Sequence, residues 1–268
     1  MSDKGSTYLD KILAAKRAEL AAPRATRSGA LTDRELLELG ARLPRPRDFI
    51  GALREGPRPG IIAEFKRASP SAGVLREGAD ARQIAMLYAA NGAACMSVLC
   101  DKHFQGSLDD LRSVRQSVAL PLLCKDFILE KTQIVEAKRV GADCVLLIVA
   151  ALPAPQLRNL IEFSHSLEMQ VLCETRDEAE IDRAMAAGGK LIGVNSRDLQ
   201  TFELDPDRAA KLRKYVPSSF TYVAESGVRT IDDALRLRDS GADALLIGSY
   251  FMTAEQPGET LRELVMAL

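Results

Sequence analysis

Two lysines and three glutamates stand at the ends of short apolar runs in this sequence. Ile61-Ile62-Ala63 leads into Glu64, Phe65 and Lys66, and Leu122-Leu123-Cys124 leads into Lys125. Val171-Leu172-Cys173 leads into Glu174, Leu191 to Val194 into Asn195, and Tyr222-Val223-Ala224 into Glu225. Side chains alternate between the faces of a β-strand, so Glu64 and Lys66 share one face and Phe65 takes the other. By the same parity Lys125 and Glu174 face away from Cys124 and Cys173, which makes the lysine and the glutamate, not the thiols, the chemistry-bearing groups. Charged groups at the ends of apolar strands are expensive to bury without a use. A partly desolvated lysine donates protons, binds a carboxylate or forms a Schiff base, and a carboxyl beside it serves as acid or base. Asn195 has the amide to orient a hydroxyl. Glu225 reads either as support for the site or as a plain partner for a lysine. A single lysine at a strand end reads equally well as a solvated rim residue; two of them with Glu64 and Glu174 in one mouth do not.

Small polar residues follow the same strands. Ser69 lies in the loop after the first, Glu225-Ser226-Gly227 closes the seventh and Gly248-Ser249 the eighth. Turns use these residue types routinely. Their coincidence at both positions where barrels commonly hold a phosphate points to an anion grip made of hydroxyls and open backbone N–H groups.

The elements that must carry these residues recur along the chain. Strand patterns occupy 60–66, 94–99, 120–125, 143–148, 170–174, 191–195, 221–225 and 244–248, separated by helical patterns such as ARQIAMLYAANG and TIDDALRLRDSG. Gly92-Ala93, Gly141-Ala142, Gly188-Gly189 and Gly241-Ala242 each end a helix and open a strand, one pair for every two strand–helix units. Eightfold alternation of this kind predicts an α/β protein, a (β/α)8 TIM barrel with an N-terminal helical extension, in preference to an open doubly wound sheet. The extension is residues 1–59: an amphipathic helix over Tyr8–Ala22, a second helix from the capping-box pair Thr32 and Glu35 through about Leu39, and breaks at Pro44, Pro46, Pro57 and Pro59. A piece of that size buries little core alone, so residues 1–268 read as one barrel domain with the extension packed on it. Lys131, Lys138, Arg139, Arg236 and Arg238 fall on helices outside the barrel and read as solvated.

Composition narrows the function classes. At 268 residues with 47% hydrophobic and 27% charged content the chain has a large core, and its formal net charge of −1 offers no field for nucleic acid or anionic lipid. No apolar run approaches the length of a membrane span, and the first residues lack the apolar core of a secretory signal. Cys95, Cys100, Cys124, Cys144 and Cys173 form no C-x-x-C pair and read as buried reduced thiols of a cytoplasmic protein. His103 and His165 are the two histidines, too far apart for usual zinc spacing, and His103 reads as non-catalytic. The expected partner is a small anionic molecule. A monomer and a weak homodimer both stay open.

IIAEFKRASPSAGVL, QGSL at 105–108, LLCKDFILEKTQI, CVLLIVAAL, IGVNSRDLQTFELD and VAESGV together resemble the indole-3-glycerol-phosphate synthase family of tryptophan biosynthesis over nearly the whole chain. The resemblance implies closure of the indole ring from 1-(2-carboxyphenylamino)-1-deoxyribulose 5-phosphate, giving indole-3-glycerol phosphate, CO₂ and water without cofactor or metal. It implies Lys125 as general acid at the ribulose carbonyl and Lys66 beside the anthranilate carboxylate. Glu174 and Lys66 are left for the proton transfers of dehydration. Glu64, Asn195 and Glu225 are implied as further groups of the mouth. Ser69, Ser226, Gly227, Gly248 and Ser249 are implied around the phosphate, with Phe127 and Leu199 against the ring. The sequence departs from the family pattern at Ala72, Thr175, Arg176 and Ser196, and the loop from Leu99 to Gln105 is about one residue short. A Schiff-base aldolase and a non-catalytic sugar-phosphate binder are the rival readings of the same scaffold.

Overall fold

Each apolar run forms a strand, and the eight strands close on themselves in chain order. The computed structural model describes residues 7–22, 31–56, 58–69, 72–198 and 200–268. Strands β1 (Gly60–Phe65), β2 (Cys95–Leu99), β3 (Leu122–Lys125), β4 (Cys144–Ile148), β5 (Gln170–Thr175), β6 (Leu191–Asn195), β7 (Thr221–Glu225) and β8 (Ala244–Ile247) are parallel, and β8 pairs back to β1. This is a (β/α)8 barrel. Strand limits differ from the sequence pattern by a residue or two at the ends. Pro121 lacks an N–H for the ladder, so β3 starts after it although the Pro121 carbonyl still accepts the Met96 N–H at 3.0 Å.

The glycine repeat behaves as its spacing suggests. Gly92, Gly141, Gly188 and Gly241 have φ of 95°, 101°, 99° and 91°, the left-handed turn that lets each helix hand over to the next strand. Ile62, Leu123, Leu146, Leu172, Leu191 and Val223, on the inward parity, are almost wholly buried and fill the barrel below its polar mouth.

The extension brackets the barrel from end to end. Helix α1 (Tyr8–Ala21), capped by Thr7 and Asp10, runs along the mouth: Tyr8 packs on Phe202 of the loop after β6, and Lys16 reaches the loops after β2 and β3. Helix α2 (Asp33–Ala41) packs on the outside of the helix Lys131–Arg139. The proline-rich stretch holds a third helix not foreseen in the sequence, α3 (Phe49–Arg54), which closes the opposite end. Its neighbourhood ties to strand starts: the Arg47 N–H donates to Asp143 at 2.8 Å, the Ile50 N–H to Gln170 at 2.7 Å, and Arg54 to the Thr221 hydroxyl at 2.8 Å. Pro57 lies outside the described residues. The helix Lys131–Arg139 is outside the barrel as expected, but two of its basic residues are not in solvent. Lys138 is buried with its ammonium on the Leu167 carbonyl at 2.8 Å, and Lys131 pairs with Asp33 of α2 at 2.6 Å. The extension covers a face that an isolated barrel would leave wet.

Among the described residues no helix is long and apolar enough to cross a membrane, and no group of His, Cys, Asp and Glu side chains is arranged to hold a metal ion. All five cysteines are free and buried.

Candidate active site

Strand ends at the C-terminal mouth bring the charged residues into one cluster. Lys66 Nζ lies 2.9 Å from Glu64 Oε1, and Lys125 Nζ lies 3.2 Å from Glu64 Oε2 and 3.1 Å from Glu225 Oε2. Two ammonium groups therefore bridge Glu64, and two carboxylates hold Lys125. The barrel opens space for this with glycine. A Cβ on Gly248 would stand 2.5 Å from Glu64 Oε1, and one on Gly193 would stand 2.1 Å from Glu225 Oε1. Gly193 is the register partner of Glu174 on β5, so the bare backbone of β6 lets the Glu225 side chain cross from β7 toward Glu174.

The charges determine the protonation of the cluster. Three carboxyls and two ammoniums would leave an excess negative charge in a buried site if all were ionised. Burial raises the Glu174 carboxyl, the charge of Glu225 raises it further, and Lys125 and a hydrogen bond from Asn195 pull it back only in part; it stands at about 8. Glu174 thus holds a proton at neutral pH, and the charge of Glu225 is one of its causes. Burial would also raise Glu64, but the ammonium groups of Lys125 and Lys66 outweigh it and hold that carboxyl at about 2. Burial would lower Lys125, and the charges of Glu64, Glu225 and Glu174 outweigh it and raise it. A Schiff-base lysine has to be available as the neutral amine; Lys125 is held in the opposite state.

A cavity of about 310 Å³ opens above the cluster, lined by Glu64, Lys66, Lys125, Glu174 and Asn195 at the polar side and by Phe104, Phe127, Leu146, Ile148 and Phe202 among its apolar residues. Ser69, Ser226, Gly227, Gly248 and Ser249 line the same cavity. Among the described site residues expected from sequence, Glu225 alone does not line it: it is fully buried and acts on the cavity through Lys125. Leu199 lies outside the described residues. His103 points its ring Nδ1 at Asp101, 2.7 Å away.

The departures from the family pattern find local partners. The Thr175 hydroxyl donates to the Gly193 carbonyl at 2.7 Å, and Arg176 pairs with Glu180 at 3.1 Å. Ser196 is buried, its N–H on the Glu225 carbonyl at 2.9 Å, and Ala72 lines the cavity beside Ser69. The short loop after β2 makes a single 3-10 turn, Lys102–Phe104, ended by Gln105 in the left-handed region at φ 56°.

Sequence alone gave no sign of several lining groups. Phe104, Phe202, Arg197 and Arg229 all reach the cavity. Arg197 is fixed by donating its backbone N–H to Asn195 Oδ1 at 2.9 Å and a guanidinium N–H to the Phe202 carbonyl at 3.0 Å. Phe202 sits at φ 60°, unusual for a bulky residue, with its ring edge-on to Tyr8 at 4.6 Å. No periodic pattern marks these loop positions; the local signal is the nearness of Arg197 and Phe202 to Asn195 and of Arg229 to Ser226, and Phe104 has none.

Comparison with known proteins places this geometry in context. A family profile described as Indole-3-glycerol phosphate synthase matches residues 9–264. A protein of that name from Polaromonas sp. JS666 is 46% identical over 265 residues, covering 97% of this chain and 98% of its own. One from Mycobacterium tuberculosis H37Rv is 45% identical over 263 residues, covering 98% and 95%. Among solved structures, thiamine phosphate pyrophosphorylase from Pyrococcus furiosus superposes with a TM-score of 0.58 at 16% identity, covering 78% of this chain and 94% of its own, a likeness of fold.

Proposed function

The chain belongs to the indole-3-glycerol phosphate synthase family of tryptophan biosynthesis, and from that premise we propose how its mouth carries out the ring closure, as a carbon–carbon lyase of the carboxy-lyase class. The observation that carries the proposal is the charged lattice of Lys66, Glu64, Lys125 and Glu225 under an aryl-sized apolar cavity, with a protonated Glu174 beside it.

The substrate is a small anion, 1-(2-carboxyphenylamino)-1-deoxyribulose 5-phosphate. Its ring lies among Phe104, Phe127 and the aliphatic wall, with its carboxylate toward Lys66. Its phosphate sits on the serine hydroxyls and open backbone of Ser69, Ser226, Gly227, Gly248 and Ser249. Held at both ends, the aryl carbon bearing the carboxylate is set against the ribulose carbonyl, which replaces a costly encounter by a fixed geometry. Lys125 delivers its proton to the carbonyl oxygen as the carbon–carbon bond forms, and Glu64 and Glu225 stabilise the ammonium that Lys125 regains afterwards. Loss of CO₂ restores aromaticity. Dehydration then needs an acid for the departing hydroxyl and a base for the carbon-bound proton, and Lys66 and Glu174 are the two groups at hand. A carboxyl standing near 8 holds its proton at neutral pH, can pass it to the Lys125 amine left by ring closure, and is then a stronger base than an ordinary carboxylate for the carbon-bound proton, with Lys66 as acid for the hydroxyl. Asn195 orients the hydroxyl and steadies Glu174. No step calls for a redox or electron-sink cofactor.

Supplying the anilino-ribulose phosphate and following indole fluorescence together with CO₂ release tests the reading; a folded enzyme that releases neither would refute it. Borohydride with the same substrate is expected to leave Lys66 and Lys125 unmodified, and a trapped adduct on either would favour an aldolase. The anion grip has its own check. Changing Ser226 to Asp and Ser249 to Glu is expected to raise KM and the inhibition constant of inorganic phosphate by about tenfold or more through like-charge repulsion. Unchanged phosphate inhibition would move the phosphate elsewhere.

A further inference from the structure

Helix α1 carries a lysine whose surroundings are not those of a solvated helix face. Lys16 is 5% exposed, and its Nζ lies 2.9 Å from Asp101 Oδ2 and 2.8 Å from Asp126 Oδ1. Each of these carboxylates organises the turn behind one phenylalanine of the cavity. Asp101 Oδ1 accepts the His103 N–H at 2.8 Å, and the Asp101 carbonyl accepts the Phe104 N–H at 3.1 Å, which builds the turn that presents Phe104. Asp126 Oδ1 accepts the Phe127 N–H at 2.6 Å, one residue beyond Lys125. The rings of Phe104 and Phe127 lie with centroids 6.4 Å apart and planes 26° from parallel, and both line the cavity.

We propose that Lys16 is a positioning residue: by tying Asp101 to Asp126 it fixes the paired Phe104–Phe127 wall against which the aryl group of the substrate lies. Without the ammonium, two buried like charges face each other and the two turns are driven apart. Buried ion pairs add little stability over apolar replacements of the same shape, so the consequence of this one lies in geometry. The inference rests on the proposed substrate, whose aryl and phosphate ends occupy opposite sides of the cavity.

Four proteins test it: wild type, Lys16→Arg, Lys16→Met, and the double variant Lys16→Met with Asp126→Asn, which restores the charge count of the cluster while leaving the clamp broken. Two ligands report separately on the two ends. The reduced, ribitol form of the substrate carries the aryl ring, and glycerol 3-phosphate carries only a phosphate. In both Met-containing variants KM and the Kd of the reduced substrate are expected to rise about tenfold, with kcat changed by less than about threefold and glycerol 3-phosphate inhibition unchanged. Lys16→Arg is expected to recover most of the affinity. If Lys16→Met fails to fold, the double variant decides. A folded Met-containing variant with wild-type KM, or one that loses both ligands equally, would overturn the clamp. Wild-type turnover with unmoved KM in the variants sinks the clamp alone, whereas a wild type that neither turns over the substrate nor binds its reduced form sinks the proposed substrate with it.

Discussion

Replacing Lys125 by Met is expected to lower kcat by about 10⁴-fold, the upper end of what a positioned proton donor contributes. Lys125 is the ammonium common to Glu64 and Glu225, so its removal takes away the acid and also unbalances its neighbours. The second effect makes the variant less benign than its place at a strand end suggests. Taking one partner from a buried ion pair costs roughly 3 kcal/mol or more. In a chain of this length that lowers Tm by about 10 °C. The fold should survive, because the barrel interior beneath is apolar and intact and the carboxyls can protonate. Measurement of kcat beside a thermal melt and a circular dichroism spectrum separates the two consequences. A folded Lys125→Met enzyme with near wild-type turnover would remove Lys125 as the acid.

Glu174→Gln is expected to cut kcat by about 10²- to 10³-fold while making the protein more stable at alkaline pH. The sign follows from its raised carboxyl. Between the ordinary value of 4.5 and about 8 the folded chain keeps a proton that the unfolded chain has released, so folding stability falls as pH rises through that window. Below it both states are protonated and Glu174 adds no penalty. Above it both are ionised and the penalty is complete, at most about 1.4 kcal/mol for each pH unit crossed. Glutamine has no such window, and its amide can still donate to Glu225 as the protonated carboxyl does. The variant should match the wild-type Tm near pH 5 and exceed it above pH 8. Parallel Tm-against-pH curves for the two proteins would show that Glu174 does not hold the proton. The wild-type activity profile is expected to bend near pH 8, where Glu174 changes its protonation state.

Much of the site is readable from local rules. Glu64, Lys66, Lys125, Glu174 and Asn195 can be picked out because each ends an apolar run and sits on the inward parity, and parity depends on nothing beyond the strand itself. Ser226, Gly227, Gly248 and Ser249 can be placed because the last two strand ends are countable once eight are recognised. Other features escape that logic. Lys16 looks like one more charge on an amphipathic helix, since its partners Asp101 and Asp126 come from other parts of the chain. Lys138 looks solvated because nothing in its helix announces the neighbour that covers it. Helix α3 hides among prolines because its reason to fold is the barrel floor it closes. Phe104, Phe202, Arg197 and Arg229 belong to loops, where side-chain direction follows turn geometry rather than a repeat.

The sequence by itself determined the number of barrel strands, the face of each charged residue at a strand end and the family, because alternation, capping and turn chemistry act over a few residues. Only the tertiary structure decided which charges meet and which of them carry a proton. Lys125 and Glu225 are 100 residues apart along the chain and 3.1 Å apart in the barrel. Protonation depends on burial and on every neighbouring charge at once, and both come into existence when the barrel closes and the extension lies down across it.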